Sequence, residues 1–398
     1  MRDQERVVML TNAIAPDKLG GLERVVRELS AQLVRAGVDV TVVTKQVDRA
    51  HPREEVGEDG VRIVRHPVPS KKNPLFAVQY PLAVAKGVRD ELARFPDAVL
   101  HAHYAITGLP VSFGSRPYLY TFHAPVYKEM LSERQDSYAL PGFVQRPAVA
   151  SLRAAEARVV RKSQKAVVLS EFMRDELRQL DQSTGDGAAV IAGGIDVDWF
   201  SEGPRTRDAW AEQAQPLLFT ARRFTARTGV AQLVQAMPAV LQRFPGARLA
   251  VAGDGRLRPE IEADIARLGL GESVRLLGRV SDEDLLRWYR NADLTVMPTQ
   301  ELEGFGLTTG ESMACGTPVL VTPVGANPEL VRDIHPALVA QAATPDAMAA
   351  SIITLLSEPA LLQELRPRVR DHAVGQWSWK VVLEKHRNLY AHIREVRS

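Results

Sequence analysis

Cysteine is nearly absent from this chain: Cys315 is the only one in 398 residues. A lone thiol excludes an internal disulfide framework and any multi-cysteine zinc site, and it fits a reducing compartment, so the cytoplasm is the expected location. Long apolar runs are missing too. No stretch approaches the roughly 18 to 20 uninterrupted apolar residues of a membrane-spanning helix. The opening MRDQERVVMLTNAIAP has only four apolar residues in a row before Thr11, too short a core for a secretion signal. Peripheral attachment at the inner face of the membrane stays open. Nor is there an excess of charge. The 50 basic and 48 acidic side chains leave +2, and the counts are 27 against 25 through Trp199 and 23 against 23 beyond it. That balance argues against a nucleic-acid partner. With 45% hydrophobic and 25% charged residues the composition is globular, and 398 residues suggest two or three domains.

What is present is an alternation of strands and helices. RVVMLTN reads as a strand, APDKLGG as a loop, and LERVVRELSAQLVRAG as a helix with Leu22, Val25, Val26, Leu29 and Leu33 on one face. VDVTVVT then restores strand character and completes a parallel, right-handed unit. GVRIVRHPV, AVLHAHY, PYLYTFH and KAVVLS read as further strands, and Ala77 to Phe95 and EFMRDELRQL as helices. Between His123 and Arg153 the pattern weakens, and a helix follows through AVASLRAAEARVVRKSQ.

Alternation stops again at AGGIDVDWFSEGPRTRDAW, where the domain junction is expected, with Asp196 and Asp198 suited to capping. The second half repeats the grammar. PLLFTARR, ARLAVAGDG, SVRLLGRV, LTVMPT and GTPVLVT read as strands, and LRPEIEADIARLGL and SDEDLLRWYRNA as helices, the latter capped by Ser281 with Asp284 three residues on. The expected division is 1–199, 200–375 and a closing helical segment 376–398 anchored by Trp377 and Trp379. Two open α/β sheets, each with helices on both faces, suit the sequence better than one large sheet.

Three regions carry chemistry. In TQELEGFGLTTGESMACGTPVLVTPVG, Glu303 and Glu311 stand eight positions apart. A helix starting after Gly304 and Gly306 would offer its first amides to an anion while the two acids reach different hydroxyls of one extended ligand. An ordinary helix start on the surface is the competing reading. In LLFTARRFTARTG, Arg222, Arg223 and Arg227 suit phosphate binding and the charge of a departing diphosphate, or are plain surface charge. At the strand ends of the first half lie Gly20 and Gly21, His101 and His103, and His123. The HAH spacing puts two imidazoles on one face, but a metal site needs another ligand.

Taken together, these loops resemble the retaining glycosyltransferases of the GT-B type, related to glycosyltransferase family 4 and glycogen synthase. EGFGLTTGESMACGTPV resembles that family's paired-glutamate signature, and the N-terminal GG, His123, RRFTARTG, VAGDG and the tryptophan-bearing tail fall in matching order. The resemblance spans nearly the whole chain. It implies an α/β GT-B fold, two Rossmann-like domains facing across a cleft, with the first holding the acceptor and the second the nucleotide sugar. It also implies Glu311 on the ribose, Glu303 on the transferred sugar, Arg223 on the phosphates, and donor contacts from Gly253, Phe305, Gly306, Leu307 and Thr308. Arg279 and Val280 fall at the base-binding edge, and the Gly20–Gly21 pair of the first domain permits close backbone approach to a ligand, or is an ordinary turn.

Several positions depart from the pattern. The family lysine is Thr228, with Arg227 as a candidate replacement; the acid usual beside His123 is Ala124; and the asparagine–glycine pair at the junction is Gly193–Gly194. What the resemblance implies is a metal-independent retaining hexosyltransferase of carbohydrate biosynthesis. It would have no cofactor and use a UDP-, GDP- or ADP-sugar, with a sugar, lipid-linked sugar or natural product as acceptor. His123 would bind a sugar hydroxyl or shape the catalytic face. Glu129, Glu133 and Asp136 offer an acidic stretch for an amine-bearing acceptor, or a solvated loop. A noncatalytic carbohydrate-binding protein and a sugar-phosphate phosphorylase are the alternatives, and oligomeric state is open.

Overall fold

A computed structural model describes residues 5–18, 20–48, 50–69, 76–128 and 142–397. The acidic positions Glu129, Glu133 and Asp136 lie outside them. Two compact units form, one running to Gly194 and taking up the chain again from Val382, the other spanning Ile195–Val381.

In the first unit the parallel strands are β1 (Arg6–Leu10), β2 (Asp39–Lys45), β4 (Arg62–His66), β5 (Val99–Ala102), β6 (Tyr118–Phe122), β7 (Lys165–Val168) and β8 (Ala189–Val190), and β3 (Glu54–Val56) is an antiparallel edge. Among the described residues they form one eight-stranded sheet in the order β3-β4-β2-β1-β5-β6-β7-β8. Strands covered on both faces need unbroken apolar runs, and Val7, Val8, Met9 and Leu10 are all buried. α1 (Gly21–Arg35) turns Val25, Val26, Leu29 and Leu33 inward and leaves Leu22 half-buried. The chain leaves β1 toward β2 and β4, then returns through α2 (Phe76–Arg94) to β5 on the other side of β1. The β1–β5 boundary is therefore a topological switch point, where the loops after both strands diverge and leave a crevice. Further along come α3 (Gly142–Lys162) and α4 (Glu171–Arg178).

The second unit has, among the described residues, five parallel strands in the order β11-β10-β9-β12-β13: β9 (Leu217–Ala221), β10 (Arg248–Ala252), β11 (Val274–Gly278), β12 (Leu294–Met297) and β13 (Val319–Val321). Its helices are α5 (Val230–Arg243), α6 (Arg258–Arg267), α7 (Asp282–Asn291), α8 (Leu307–Ala314), α9 (Pro345–Leu356) and α10 (Pro359–Trp377). Here the switch point lies between β9 and β12, so the two loops singled out for chemistry diverge from adjacent strand ends. Ser281 caps α7 by accepting from Asp284 N at 3.1 Å, but the Asp284 carboxylate turns to Arg287 rather than back to the cap.

Two expectations need correction. β9 stops at Ala221, so Arg222 and Arg223 stand in the loop rather than in the strand. The closing segment is not one helix but two, α10 and α11 (Trp379–Arg397), broken at Ser378. Ile195 N takes the Trp377 carbonyl at 2.7 Å and Ile195 bridges Ser378, which gives these groups a strand-like partner instead of a helical one. Among the described residues no helix is long and apolar enough to cross a membrane.

From Val382 onward α11 belongs to the first unit. Tyr390 OH hydrogen-bonds His101 Nδ1 at 2.8 Å, and His101 Nε2 reaches Thr121 Oγ1 at 2.7 Å; the three side chains are buried. Nearby His386 is buried with Nδ1 at 2.9 Å from Val382 O, and loss of solvation pushes it from 6.5 down to about 4, the backbone bond partly opposing the shift. Between those values the unfolded chain binds a proton that the folded ring does not. This contribution is therefore absent above pH 6.5 and destabilises as pH falls toward 4, by about 1.4 kcal/mol per pH unit for the one ring. Thermal unfolding should accordingly shift to lower temperature between pH 7 and pH 5, less steeply in His386→Gln; identical slopes for parent and variant would refute the assignment.

Candidate active site

The second unit assembles the cationic and acidic groups. β9 lies between β10 and β12, and the loop after it meets the loops after both, backbone to backbone. Gly253 has φ +126°, and a Cβ on it would lie 1.9 Å from Arg222 O; Gly229, at φ +75°, would put its Cβ 1.7 Å from Pro298 O. No side chain fits at either crossing. Gly325, at φ +61°, packs in the same way on Glu303, whose carbonyl also accepts from Ala326 N at 2.9 Å. Leu302, just before Glu303, has φ +45°, an uncommon conformation for a branched side chain and one that surrounding contacts must hold. Arg227 Nη1 reaches Leu302 O at 3.4 Å, while the Arg227 carbonyl accepts from Gln300 N at 2.7 Å and Glu301 N at 3.2 Å. Arg227 thus clamps the loop that carries Glu303.

The Glu303 carboxylate is held by Arg222, whose Nη2 is 2.7 Å from Oε2 and 3.0 Å from Thr299 Oγ1. Three residues on, Gly306, at φ +85°, caps α8, and Leu307 and Thr308 form its first turn. The amides of this turn and the positive end of the helix dipole favour an anion. Phe305 is buried edge-on against Trp377 with ring centroids 5.4 Å apart, which leaves its backbone rather than its ring to meet a ligand. Glu311 lies inside α8, buried, with Tyr289 OH donating to Oε2 at 3.1 Å.

Arg223 is exposed, and its carbonyl accepts from Thr228 Oγ1 at 2.5 Å; that hydroxyl also contacts Thr225 O at 2.7 Å. Thr228 is buried and closes its own loop, so it does not face outward as a stand-in for a lysine. At the C-terminal end of β11, Arg279 is exposed and Val280 half-buried. Thr299, Leu302, Gly325 and Tyr289 were not among the expected site residues, and Arg222 was expected on phosphate rather than on Glu303. The pair of arginines at the end of a strand was the one signal for Arg222.

In the first unit, Gly20 precedes α1, with the Glu23 carboxylate where a Cβ would sit, and Gly21 has open space at that position. Asp17, in the same loop, is pinned by Arg65 through Nε at 2.6 Å and Nη2 at 2.9 Å, both side chains being nearly inaccessible. His103 Nδ1 and His123 Nε2 lie 3.2 Å apart, and the His101 and His103 rings are centred 3.9 Å apart. Burial holds His101 and His103 well below an ordinary histidine and lowers the largely enclosed His123 to about 3, so all three are neutral at physiological pH. Among the described residues no three His, Cys, Asp or Glu side chains are grouped to hold a metal ion.

This combination of two parallel-sheet units and a glycine-capped, doubly acidic donor loop defines a GT-B glycosyltransferase. The model of Glycosyltransferase Family 4 matches residues 19–199 and that of Glycosyl transferases group 1 matches residues 204–372. A D-inositol 3-phosphate glycosyltransferase of Nocardiopsis dassonvillei is 30% identical over 378 residues, 89% of this chain and 85% of its own. Among solved structures, a sucrose-phosphate synthase from Thermosynechococcus elongatus superposes with a TM-score of 0.76 at 20% identity, covering 99% of this chain and 100% of that one. Anabaena HepE in complex with UDP superposes with a TM-score of 0.75 at 16% identity, covering 97% and 100%. The chain belongs to the glycosyltransferase family 4 and glycogen-synthase-like group of GT-B enzymes, and it transfers a sugar from a nucleotide-sugar donor to an acceptor.

Replacing Thr228 with the lysine usual in the family should lower stability by about 1–3 kcal/mol. It removes the hydroxyl that ties Arg223 O to Thr225 O and places a long charged chain where 5% of the residue is exposed. Urea unfolding of Thr228→Lys tests this, and an unchanged midpoint contradicts the inward role.

Proposed function

We propose that the protein is a retaining, metal-independent hexosyltransferase that moves a hexose or amino-sugar unit to a hydroxyl of a sugar, lipid-linked sugar or natural-product acceptor. The observation that carries this reading is the loop after β12, which places Glu303, the Gly306-capped start of α8 and Glu311 in one run of nine residues beside the Arg222–Arg223 end of β9. Anionic phosphates belong at the helix start, with Arg223 as a bidentate partner. Glu303 then meets the sugar and Glu311 the ribose.

As the bond from the anomeric carbon to the diphosphate oxygen breaks, negative charge grows on the leaving group, and Arg223 and the α8 amides stabilise it more than they stabilise the intact donor. The leaving phosphate accepts the proton of the attacking hydroxyl on the same face, which keeps the anomeric configuration. His123, neutral in its histidine cluster, serves as a hydrogen-bonding group for a sugar hydroxyl rather than as a charged acid. The inositol 3-phosphate in the name of the Nocardiopsis dassonvillei relative supports a hydroxyl-bearing acceptor.

Arg223→Ala should lower kcat/KM by about 10²–10³ while the protein remains folded. Glu311→Ala should act mainly on donor affinity. Acceptor-dependent release of nucleotide, measured over UDP-, GDP- and ADP-sugars, separates an enzyme from a carbohydrate-binding protein. A normal turnover in folded Arg223→Ala would remove the phosphate role.

Activity should also survive exhaustive chelation, and the first product should carry the donor's anomeric configuration by nuclear magnetic resonance. Loss of activity restored by one metal, or an inverted product, would each overturn the corresponding half of the mechanism.

A further inference from the structure

Arg222 has an immobile backbone. Its N–H donates to Ala252 O at 2.9 Å, and its carbonyl occupies the space that a side chain at Gly253 would need. The other end of its side chain is equally fixed: Thr299 is buried, its carbonyl accepts from Thr322 Oγ1 at 2.6 Å, and the Glu303 main chain is packed against Gly325. The Arg222 and Glu303 side chains are 12% and 16% exposed. Among the described residues Arg222 Nε is buried without a hydrogen-bond partner, a cost that a purely structural ion pair does not require. Both contacts to the carboxylate go to Oε2; among the described residues Oε1 receives no hydrogen bond. The pair also stands at the β9–β12 switch point, where open parallel sheets bind ligands.

We propose that Arg222 is the positioning residue for the transferred sugar: by gripping Glu303 through Oε2 it presents Oε1 to a sugar hydroxyl. Arg227 and Thr228 are committed to loop closure, so this guanidinium is the charge that faces Glu303. The inference rests on the donor-site reading of Glu303. It assigns Arg222 to the sugar half of the donor and leaves the phosphates to Arg223 and the α8 amides. Lysine, a point charge without the fork, would replace it only in part.

The test compares two ligands on the full chain. Calorimetric binding of UDP, GDP and ADP reads the nucleotide half, and binding and steady-state transfer of the corresponding nucleotide sugars read the whole donor. In Arg222→Met the affinity for the best diphosphate should stay within about threefold of the parent, while affinity for its sugar conjugate falls about tenfold or more and kcat falls with it. Arg222→Lys should recover part of the loss. The double variant Arg222→Met/Glu303→Gln should be no worse than Glu303→Gln alone. If Arg222→Met fails to fold, the Arg222→Lys and Glu303→Gln cycle makes the same comparison.

Equal losses of diphosphate and nucleotide-sugar affinity would make Arg222 a phosphate ligand and overturn the proposal. Additive effects in the double variant, or unchanged binding and transfer in Arg222→Met, would overturn it as well while leaving the donor site intact. A parent that binds none of the diphosphates, or a Glu303→Gln protein with normal transfer, would instead remove the donor-site reading on which the proposal stands.

Discussion

The second unit depends on three crossings of bare backbone at the C-terminal edge of its sheet. Gly229 lies on Pro298, Gly253 on Arg222 and Gly325 on Glu303, each too close for a side chain. Because main chain touches main chain, the ends of β9, β10, β12 and β13 hold one another with little room to move, and the side chains they carry inherit that rigidity. The Arg222–Glu303 pair, the uncommon φ of Leu302 and the start of α8 all hang on it. Preorganisation of this kind is what electrostatic stabilisation of a leaving group requires, since dipoles that must swing into place contribute less.

The two units present different electrostatics at their switch points. In the second, arginines and the start of α8 stand at the strand ends, a combination that favours anions. In the first, Asp17 of the loop after β1 is turned inward onto Arg65, Glu23 in the first turn of α1 pairs with Lys18, and the strand ends carry neutral histidines. Of these histidines His123 is half-buried while His101 and His103 are buried, and a neutral imidazole, like a hydroxyl, both gives and accepts hydrogen bonds.

Much of the fold was legible because strands covered on both faces must be apolar throughout, so β1, β2, β6 and β10 stand out as short hydrophobic runs between glycine-rich turns. β3 was not, since a three-residue edge reading Glu-Glu-Val owes its conformation to β4 rather than to its own side chains. The break at Ser378 was hidden for a similar reason: the helical period runs through it, and only the distant backbone of Ile195 accounts for the interruption. In the loop after β12 the helix start behind Gly306 was readable from the residues, whereas roles for Glu303 and Glu311 came only with the family resemblance. Which of two adjacent arginines faces Glu303 was not readable, because that turns on where β9 ends. Thr228 read as a gap in the charge pattern; its hydroxyl's role in closing the loop needed the coordinates.

The return of α11 has a bearing on how the protein is made. Tyr390 completes a buried hydrogen bond with His101 that spans 289 positions in the chain, so part of the first unit's interior is made only after the second unit. Domains commonly fold as their residues emerge from the ribosome. Here the earliest unit must wait, with the buried face around His101 and Thr121 uncovered, until the whole of the later unit has been translated. The order of translation and the order of completion are thereby reversed.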